Sequence, residues 1–281
     1  MEEHINRMIS SGEKFRQTLP ESRRIVVKIG SRVIVRRYGR PDVRRMGWLV
    51  EQVAALKRTG YEVVLVSSGA IAAGMQALGM HQRPEAVPDL QMCAAVGQSR
   101  LMARYGELFG KQKLITGQIL LTHADFDSKI RLANMRRTMD HMLARGIVPV
   151  INENDAVADE EVKADLSFGD NDNLASLLAR QIRADMLIIL STVNGLRAYS
   201  ANGSNRRIPF VETINKEVLR LVRPPEAGGI SKGGMDSKLK AAAACTKAGI
   251  NVVVADGKKK GVLLRVMGGE DDGTLFMGSP S

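Results

Sequence analysis

The sequence predicts an α/β protein built on a mainly parallel central sheet with helices on both faces. Three observations predict it. Short apolar, strand-like runs alternate with longer segments whose apolar residues recur near a 3.6 period. Alternation of that kind is how crossovers in a parallel sheet read. Polar and glycine-rich stretches also follow the strands, at the strand ends where such sheets collect ligands.

In chain order the strands are expected at Arg24–Ile29, Glu62–Val66, Leu114–Leu121, Ile147–Ile151, Met186–Leu190 and Asn251–Ala255. Each is an apolar run bounded by turn or charged residues. Between them, helical periodicity covers Val43–Arg58, Leu90–Phe109, Ser128–Arg145, Leu174–Ile182 and Asp236–Ala248. "SANGSNRRIPF" (Ser200–Phe210) carries an Asn-Gly signal and reads as a hairpin or excursion. No repeat or linker divides the chain, so one domain is expected over residues 24–281 after an N-terminal extension, 1–23. Sparse apolar spacing at Ile5, Met8 and Ile9 would make at most a short helix there.

Composition sets the class. With 281 residues, 44% hydrophobic and 25% charged, the chain resembles ordinary globular proteins. Its longest apolar runs, such as Met186–Leu190, are far shorter than the ~20 residues of a membrane span. "MEEHINRMIS" has no apolar core of a secretory signal. Cys93 and Cys245 lie far apart in Ala-rich, helix-like stretches and read as free buried thiols of a cytoplasmic protein. The four histidines are scattered, so no metal-ligating residues are assigned. The net charge of +11 is concentrated at the start, where residues 1–60 hold 14 Lys and Arg against 6 Asp and Glu. Aromatics are only 4% and no nucleic-acid motif accompanies the charge, so no nucleic-acid partner is expected.

The stretches that follow strands carry the chemistry. The first strand runs into "VKIGS" (Val27–Ser31) and the second into "SSGAIAAG" (Ser67–Gly74). The fourth runs into "INENDAV" (Ile151–Val157) and the fifth into "LSTVNG" (Leu190–Gly195). "FGDNDNLAS" (Phe168–Ser176) and "SKGGMDSK" (Ser231–Lys238) each open a helix. Plain readings exist for all of them. Lys28 could snorkel from an edge strand. Ser67, Ser68 and the "GDNDN" cluster could be caps, and Lys238 a solvated lysine. Yet Lys28 is flanked by Val27 and Ile29, and four consecutive Asp and Asn residues exceed what a cap needs. Together the parts suggest phosphoryl transfer, which asks for positive charge on the phosphoryl oxygens and exact positioning. Glycines bare the backbone N–H groups at helix N-termini that hold phosphate. No Walker A sequence occurs, nor a Gly-rich loop with a catalytic H-R-D, so P-loop and protein-kinase readings are disfavoured. The Asp and Asn residues suit a substrate bearing an ammonium group.

"VVKIGS", "SSGAIAAG", "AAVGQSRLM", "GQILLT", "IVPVINENDAV", "GDNDNL", "GGMDSKL" and "GTLF" occur in this order. In this the chain resembles the glutamate 5-kinase branch of the amino-acid kinase family, over roughly Arg24 to Phe276. The resemblance implies a three-layer α/β/α sandwich, ATP with Mg²⁺, and phosphorylation of the γ-carboxylate of L-glutamate on the way to proline. It assigns glutamate to Ser68, Gly69, Ala70, Asn152, Asp155, Asp170 and Asn171, with Gly69 and Ala70 leaving room. Lys28 and Lys238 would flank the γ-phosphate, with Asp172 holding both. ATP would meet Lys28, Gly30, Ser191, Thr192 and the run Lys232, Gly233, Gly234, Met235, Asp236, Ser237 and Lys238. The nucleophile is already a carboxylate, so no general base is required. A homo-oligomer (dimer or tetramer) and contact with the next enzyme of the proline pathway are expected. Rival readings are an acetylglutamate kinase and a non-catalytic regulatory protein on the same fold.

The chain also departs from that pattern. Many relatives carry a C-terminal PUA domain, which is not expected here after "GTLF". "GLRAYSANG" replaces an aromatic and Asp-Pro pattern, leaving nucleotide preference open, and Lys232 stands where a small residue is usual. The loop Ala158–Phe168 is longer than the family's shortest. Residues 1–22 have no counterpart there, and are expected to be dispensable for chemistry and to act through association.

Overall fold

The computed structural model describes residues 12–36, 40–157, 171–199, 205–220 and 234–279. The sequence-predicted loop 158–168, Asp170, Lys232, Gly233 and the Asn202-Gly203 turn lie outside the described residues.

Among the described residues the strands are β1 Arg24–Ile29, β2 Glu62–Val66, β3 Thr116–Leu121, β4 Val148–Glu153, β5 Met186–Ser191, β6 Arg197–Tyr199, β7 Asn205–Arg207, β8 Phe210–Val211, β9 Asn251–Asp256 and β10 Thr274–Phe276. Ten helices carry labels: α1 Ser31–Ile34, α2 Val43–Arg58, α3 Ala70–Ala77, α4 Val87–Lys111, α5 His123–Asp127, α6 Lys129–Ala144, α7 Asn171–Gln181, α8 Lys216–Arg220, α9 Met235–Thr246 and α10 Val262–Met267. Eight strands form one sheet in the order β3-β4-β2-β1-β5-β9-β10-β8, and β6 pairs with β7 in a separate antiparallel ribbon. Every pair in the large sheet is parallel except β9–β10. From β1 the chain moves outward through β2, and it returns to the other side of β1 at β5. The end of β1 is therefore a topological switch point, where a doubly wound sheet opens its crevice.

Strand alternation builds two cores. Ile25, Val27, Ile29, Val63, Leu65, Ile188 and Val253 face α2, α4 and α10. Val26, Val64, Val66, Leu187, Ile189 and Val252 face α6, α7 and α9. This is the expected sandwich, with a core on each face of the sheet. Lys28 continues the series of Val26, so the period of two turns it toward α7 and α9. It lies in a central strand and is 6% exposed, which excludes the snorkelling reading.

The small residues after β2 have a packing cause that the sequence reading did not see. Gly69 opens α3 with φ of 100°, a left-handed conformation that favours glycine. Farther along, α3 and α4 touch backbone to backbone: a Cβ on Gly74 would overlap the Cys93 carbonyl, and one on Gly97 would overlap the Ala70 carbonyl. Ala70 is itself buried in this contact. The Ala/Gly run therefore serves helix packing as well as access. Gly97→Ala should destabilise the protein by about 3 kcal/mol or more, beyond ordinary overpacking, because the obstacle is backbone. Urea unfolding that leaves the variant within about 1 kcal/mol of wild type would contradict that packing.

The N-terminal segment differs from expectation too. Residues 12–16 are helical, and Leu19 joins the same core as α2 and α10. Phe15 stacks on Phe210 with ring centroids 5.4 Å apart. The Arg16 guanidinium is buried and donates to four backbone carbonyls. A segment so embedded is no appendage, and deleting residues 1–22 would uncover core rather than only a charged tail. Cys93 and Cys245 are free and buried, as the sequence implied. Among the described residues no helix is long and apolar enough to cross a membrane.

Candidate active site

The site lies at the C-terminal ends of β1, β2, β4 and β5, where α3, α7 and α9 begin. Its centre is Asp172, in the first turn of α7 and 1% exposed. Lys28 Nζ lies 2.6 Å from Asp172 Oδ1, and Lys238 Nζ lies 3.0 Å from Oδ2. Ser237 donates its hydroxyl to Oδ2 at 2.8 Å. Burial alone would raise this carboxyl's pKa. The charges of Lys28 and Lys238, with hydrogen bonds from Lys28 and Ser237, outweigh burial and hold it at about 2. The N-terminal end of α7 adds a favourable dipole. Three buried ionisable groups thus sit within one contact, with one excess positive charge.

Asp172 ties this charge to stability. Its folded pKa lies below the unfolded value of roughly 3.9. The stabilisation is therefore complete above that value and is lost as pH falls through about 2. Asp172→Asn leaves two buried lysines without their counter-charge and should cost about 3–5 kcal/mol at pH 7. The gap to wild type should narrow between pH 5 and pH 2. Urea unfolding of both proteins across that range checks this, and a gap independent of pH would contradict it.

Beside the charged centre stands an amide network. Asn171 Nδ2 donates to the Ser67 carbonyl at 2.6 Å, to Ser68 Oγ at 3.0 Å and to Asn152 Oδ1 at 3.0 Å. Asn152 in turn donates to Gln98 Oε1 at 2.8 Å. Ser67 Oγ lies 2.9 Å from the Tyr105 hydroxyl, whose pKa burial pushes up to about 12 despite that contact. Among the described residues, two buried polar atoms here have no hydrogen-bond partner, Gln98 Nε2 and Asn171 Oδ1. Buried polar atoms are normally satisfied, so a polar ligand is the natural partner for them. A cavity of about 260 Å³ opens alongside, lined by Ala70, Gln98, Gln118, Glu153 and Asp155 among others. A hollow of about 350 Å³ at Arg137 and His141 on α6 and Arg145 just after it is larger but lies off this chemistry.

Most residues expected from the sequence converge here. Lys28, Ser68, Gly69, Ala70, Asn152, Asp155, Asn171, Asp172, Ser237 and Lys238 fall into one region. Gly30 packs between β1 and β5, with its N–H on the Leu190 carbonyl, and a Cβ there would come 3.9 Å from Lys28 Nζ. Ser191 ends β5, followed by Thr192, and Gly234 caps α9 and accepts from Lys238. Asp236 is turned away, pairing with Lys240 on the solvent side of α9, and Met235 packs against the core. Gln98 and Tyr105 were missed. Their signal was a polar residue and a phenol on the buried stripe of α4, in step with Leu90, Ala94 and Leu101.

Two lysines held by a buried carboxylate, beside an amide-lined cavity at a sheet switch point, define a class. The chain belongs to the amino acid kinase family, whose sequence profile matches residues 23–256. The member it matches in particular is glutamate 5-kinase. The glutamate 5-kinase of Pelobacter propionicus is 40% identical over 270 residues, covering 93% of this chain and 69% of that relative. The one from Clostridium acetobutylicum is 41% identical over 258 residues, covering 90% of this chain and 94% of the relative. Among solved structures, carbamate kinase from Giardia lamblia bound to AMP-PNP superposes with a TM-score of 0.63 at 16% identity, over 92% of this chain and 99% of that one. UMP kinase from Bacillus anthracis gives 0.59 at 14% identity, over 92% and 97%. These two likenesses concern the fold.

Proposed function

We propose that the protein is a glutamate 5-kinase that moves the γ-phosphoryl group of ATP onto the γ-carboxylate of L-glutamate, forming γ-glutamyl phosphate for proline synthesis. The observation that carries it is Asp172, which joins Lys28 and Lys238 next to the Asn171–Asn152–Ser68 network. Glutamate occupies the cavity, with its ammonium toward Asp155 and its polar atoms toward Gln98 and Asn171. The nucleotide lies on the β5 and α9 side, along Ser191, Thr192 and Gly234.

The reacting oxygen is an anion, so the work is to bring two anions together and to neutralise charge as it spreads over the phosphoryl oxygens. Lys28 reaches the gap from the sheet and Lys238 from the helix. Asp172 fixes the spacing between their ammonium groups in a dry site. Water exclusion follows from their burial. Among the described residues no three His, Cys, Asp or Glu side chains are grouped to hold a metal ion. Asp172 is engaged by cations, so these residues do not offer a protein cage for Mg²⁺. The ion fits here as a companion of the ATP phosphates, as is usual for Mg²⁺.

The acceptor tests the proposal. ADP release should depend on glutamate and should stay near background with N-acetylglutamate, aspartate or carbamate. Turnover with N-acetylglutamate instead would make the protein an acetylglutamate kinase. No turnover with any of the four would support a regulatory protein on the same fold.

A further inference from the structure

Arg16 is 2% exposed, yet its partners here are Pro209 and Glu270 to Gly273 and not the charged centre. Its guanidinium donates to Pro209 O at 2.8 Å, Glu270 O at 3.0 Å, Gly273 O at 3.1 Å and Asp272 O at 3.4 Å, and pairs with Asp271 Oδ1 at 3.2 Å. Burying this cation costs free energy, and burial lowers its pKa although Asp271 opposes the shift. The return is a clamp on two strand entries, because Pro209 precedes β8 and Gly273 precedes β10. Only the planar fork of an arginine can serve so many carbonyls at once.

The clamp leads to the loop after β5. Thr274, next to Gly273, donates its hydroxyl to Ile208 O at 2.5 Å and accepts from Leu196 N at 2.8 Å. Ile208 N closes the loop onto Leu196 O at 2.8 Å. Gly195 lies so close to Thr274 that any Cβ would overlap Oγ1. The loop that contains Thr192 is thus fixed at two points. One is Ser191 O, which accepts from Gly257 N at 2.8 Å, and the other is Thr274.

We propose that Arg16 is a positioning residue for this loop, so that the N-terminal segment sets nucleotide affinity without touching the nucleotide. The inference rests on the reading that Ser191 and Thr192 face ATP. If Arg16 only held the fold together, its loss would lower stability and leave the affinities of the folded molecules alone. As a positioning residue it splits the two substrates, since glutamate binds on the far side of β1.

The test uses the full chain with Arg16→Ala, Arg16→Lys and Thr274→Val. ATP affinity is measured by calorimetry without acceptor, and both KM values by steady-state kinetics. Arg16→Ala should weaken ATP roughly three- to thirtyfold, the range of mutations that act through packed networks, with glutamate KM within about twofold. Arg16→Lys should stay impaired, and added methylguanidinium should restore ATP affinity to the Arg16→Ala protein. Thr274→Val keeps the N-terminal segment and should give the same split, so it decides the matter even where Arg16→Ala does not fold. Wild-type ATP affinity in folded Thr274→Val, or equal changes for both substrates, overturns the proposal. Because ATP binding is read without acceptor, failure of glutamate as a substrate would appear separately, in the wild-type turnover assay.

Discussion

Lys28→Ala and Lys238→Ala are each expected to lower kcat roughly 10²–10³-fold, the usual cost of removing one preorganised group that stabilises transition-state charge. Their effect on folding should be small, and the charge count says why. The buried centre holds two ammonium groups and one carboxylate, with Lys28 and Lys238 each in contact with Asp172. Losing one lysine leaves a neutral pair, whereas losing Asp172 leaves two unpaired cations. Stability and catalysis therefore respond in opposite order: Asp172 dominates unfolding, and the lysines dominate turnover. Each lysine's charge matters most as the phosphoryl group moves, so KM for either substrate should change less than kcat. A lysine variant that unfolds near wild type and keeps most of its turnover would remove that lysine from the mechanism.

Asp155→Ala is expected to raise the KM for glutamate roughly ten- to hundredfold, because a hydrogen bond to a charged group contributes about 1.5–3 kcal/mol. Asp155 follows β4, lines the 260 Å³ cavity and is mostly buried. On the proposed reading its carboxylate faces the substrate ammonium, a group that N-acetylglutamate lacks. ATP binds across β1, so its affinity should stay within about twofold of wild type. Calorimetric titration of the variant with each substrate separates the two, and equal losses for both would contradict the placement of Asp155.

The sheet was legible because its central strands are continuous apolar runs. β1 and β2 begin and end where the sequence reading put them, and α2 matches Val43–Arg58. Boundaries shifted where capping decided them. Leu114 was read as strand, yet Lys113 takes a positive φ of 59° and Leu114 N returns to Phe109 O, so both residues close α4. β4 runs on to Glu153, which makes Asn152 a strand residue facing Gln98 rather than a loop residue. α7 already includes Asn171, three residues before the expected Leu174, and Asn171 and Asp172 are buried in the site. α1, α10 and β10 are too short for any period to show, and β10 is held by pairing with β9 across the sequence.

The site was legible in its residues and not in its couplings. Lys28 and Lys238 stand 210 positions apart, and only the fold places both on one carboxylate. The role of Arg16 was hidden for the same reason: its partners are at residues 209 and 270–273. A charged residue in a basic leader reads as surface until those carbonyls are in place. The Ala/Gly run after β2 drew attention to the right turn, but part of its cause was helix packing.

The most direct measurement is capture of the product itself. The protein, MgATP and glutamate are incubated with hydroxylamine, which converts an acyl phosphate to a stable hydroxamate, and hydroxamate is compared with ADP. The account predicts γ-glutamyl hydroxamate in equal amount to ADP with wild type, and both products formed roughly 10²–10³-fold more slowly with Lys28→Ala or Lys238→Ala. ADP released without hydroxamate, or hydroxamate formed equally well by the lysine variants, would contradict transfer to the glutamate carboxylate at this centre.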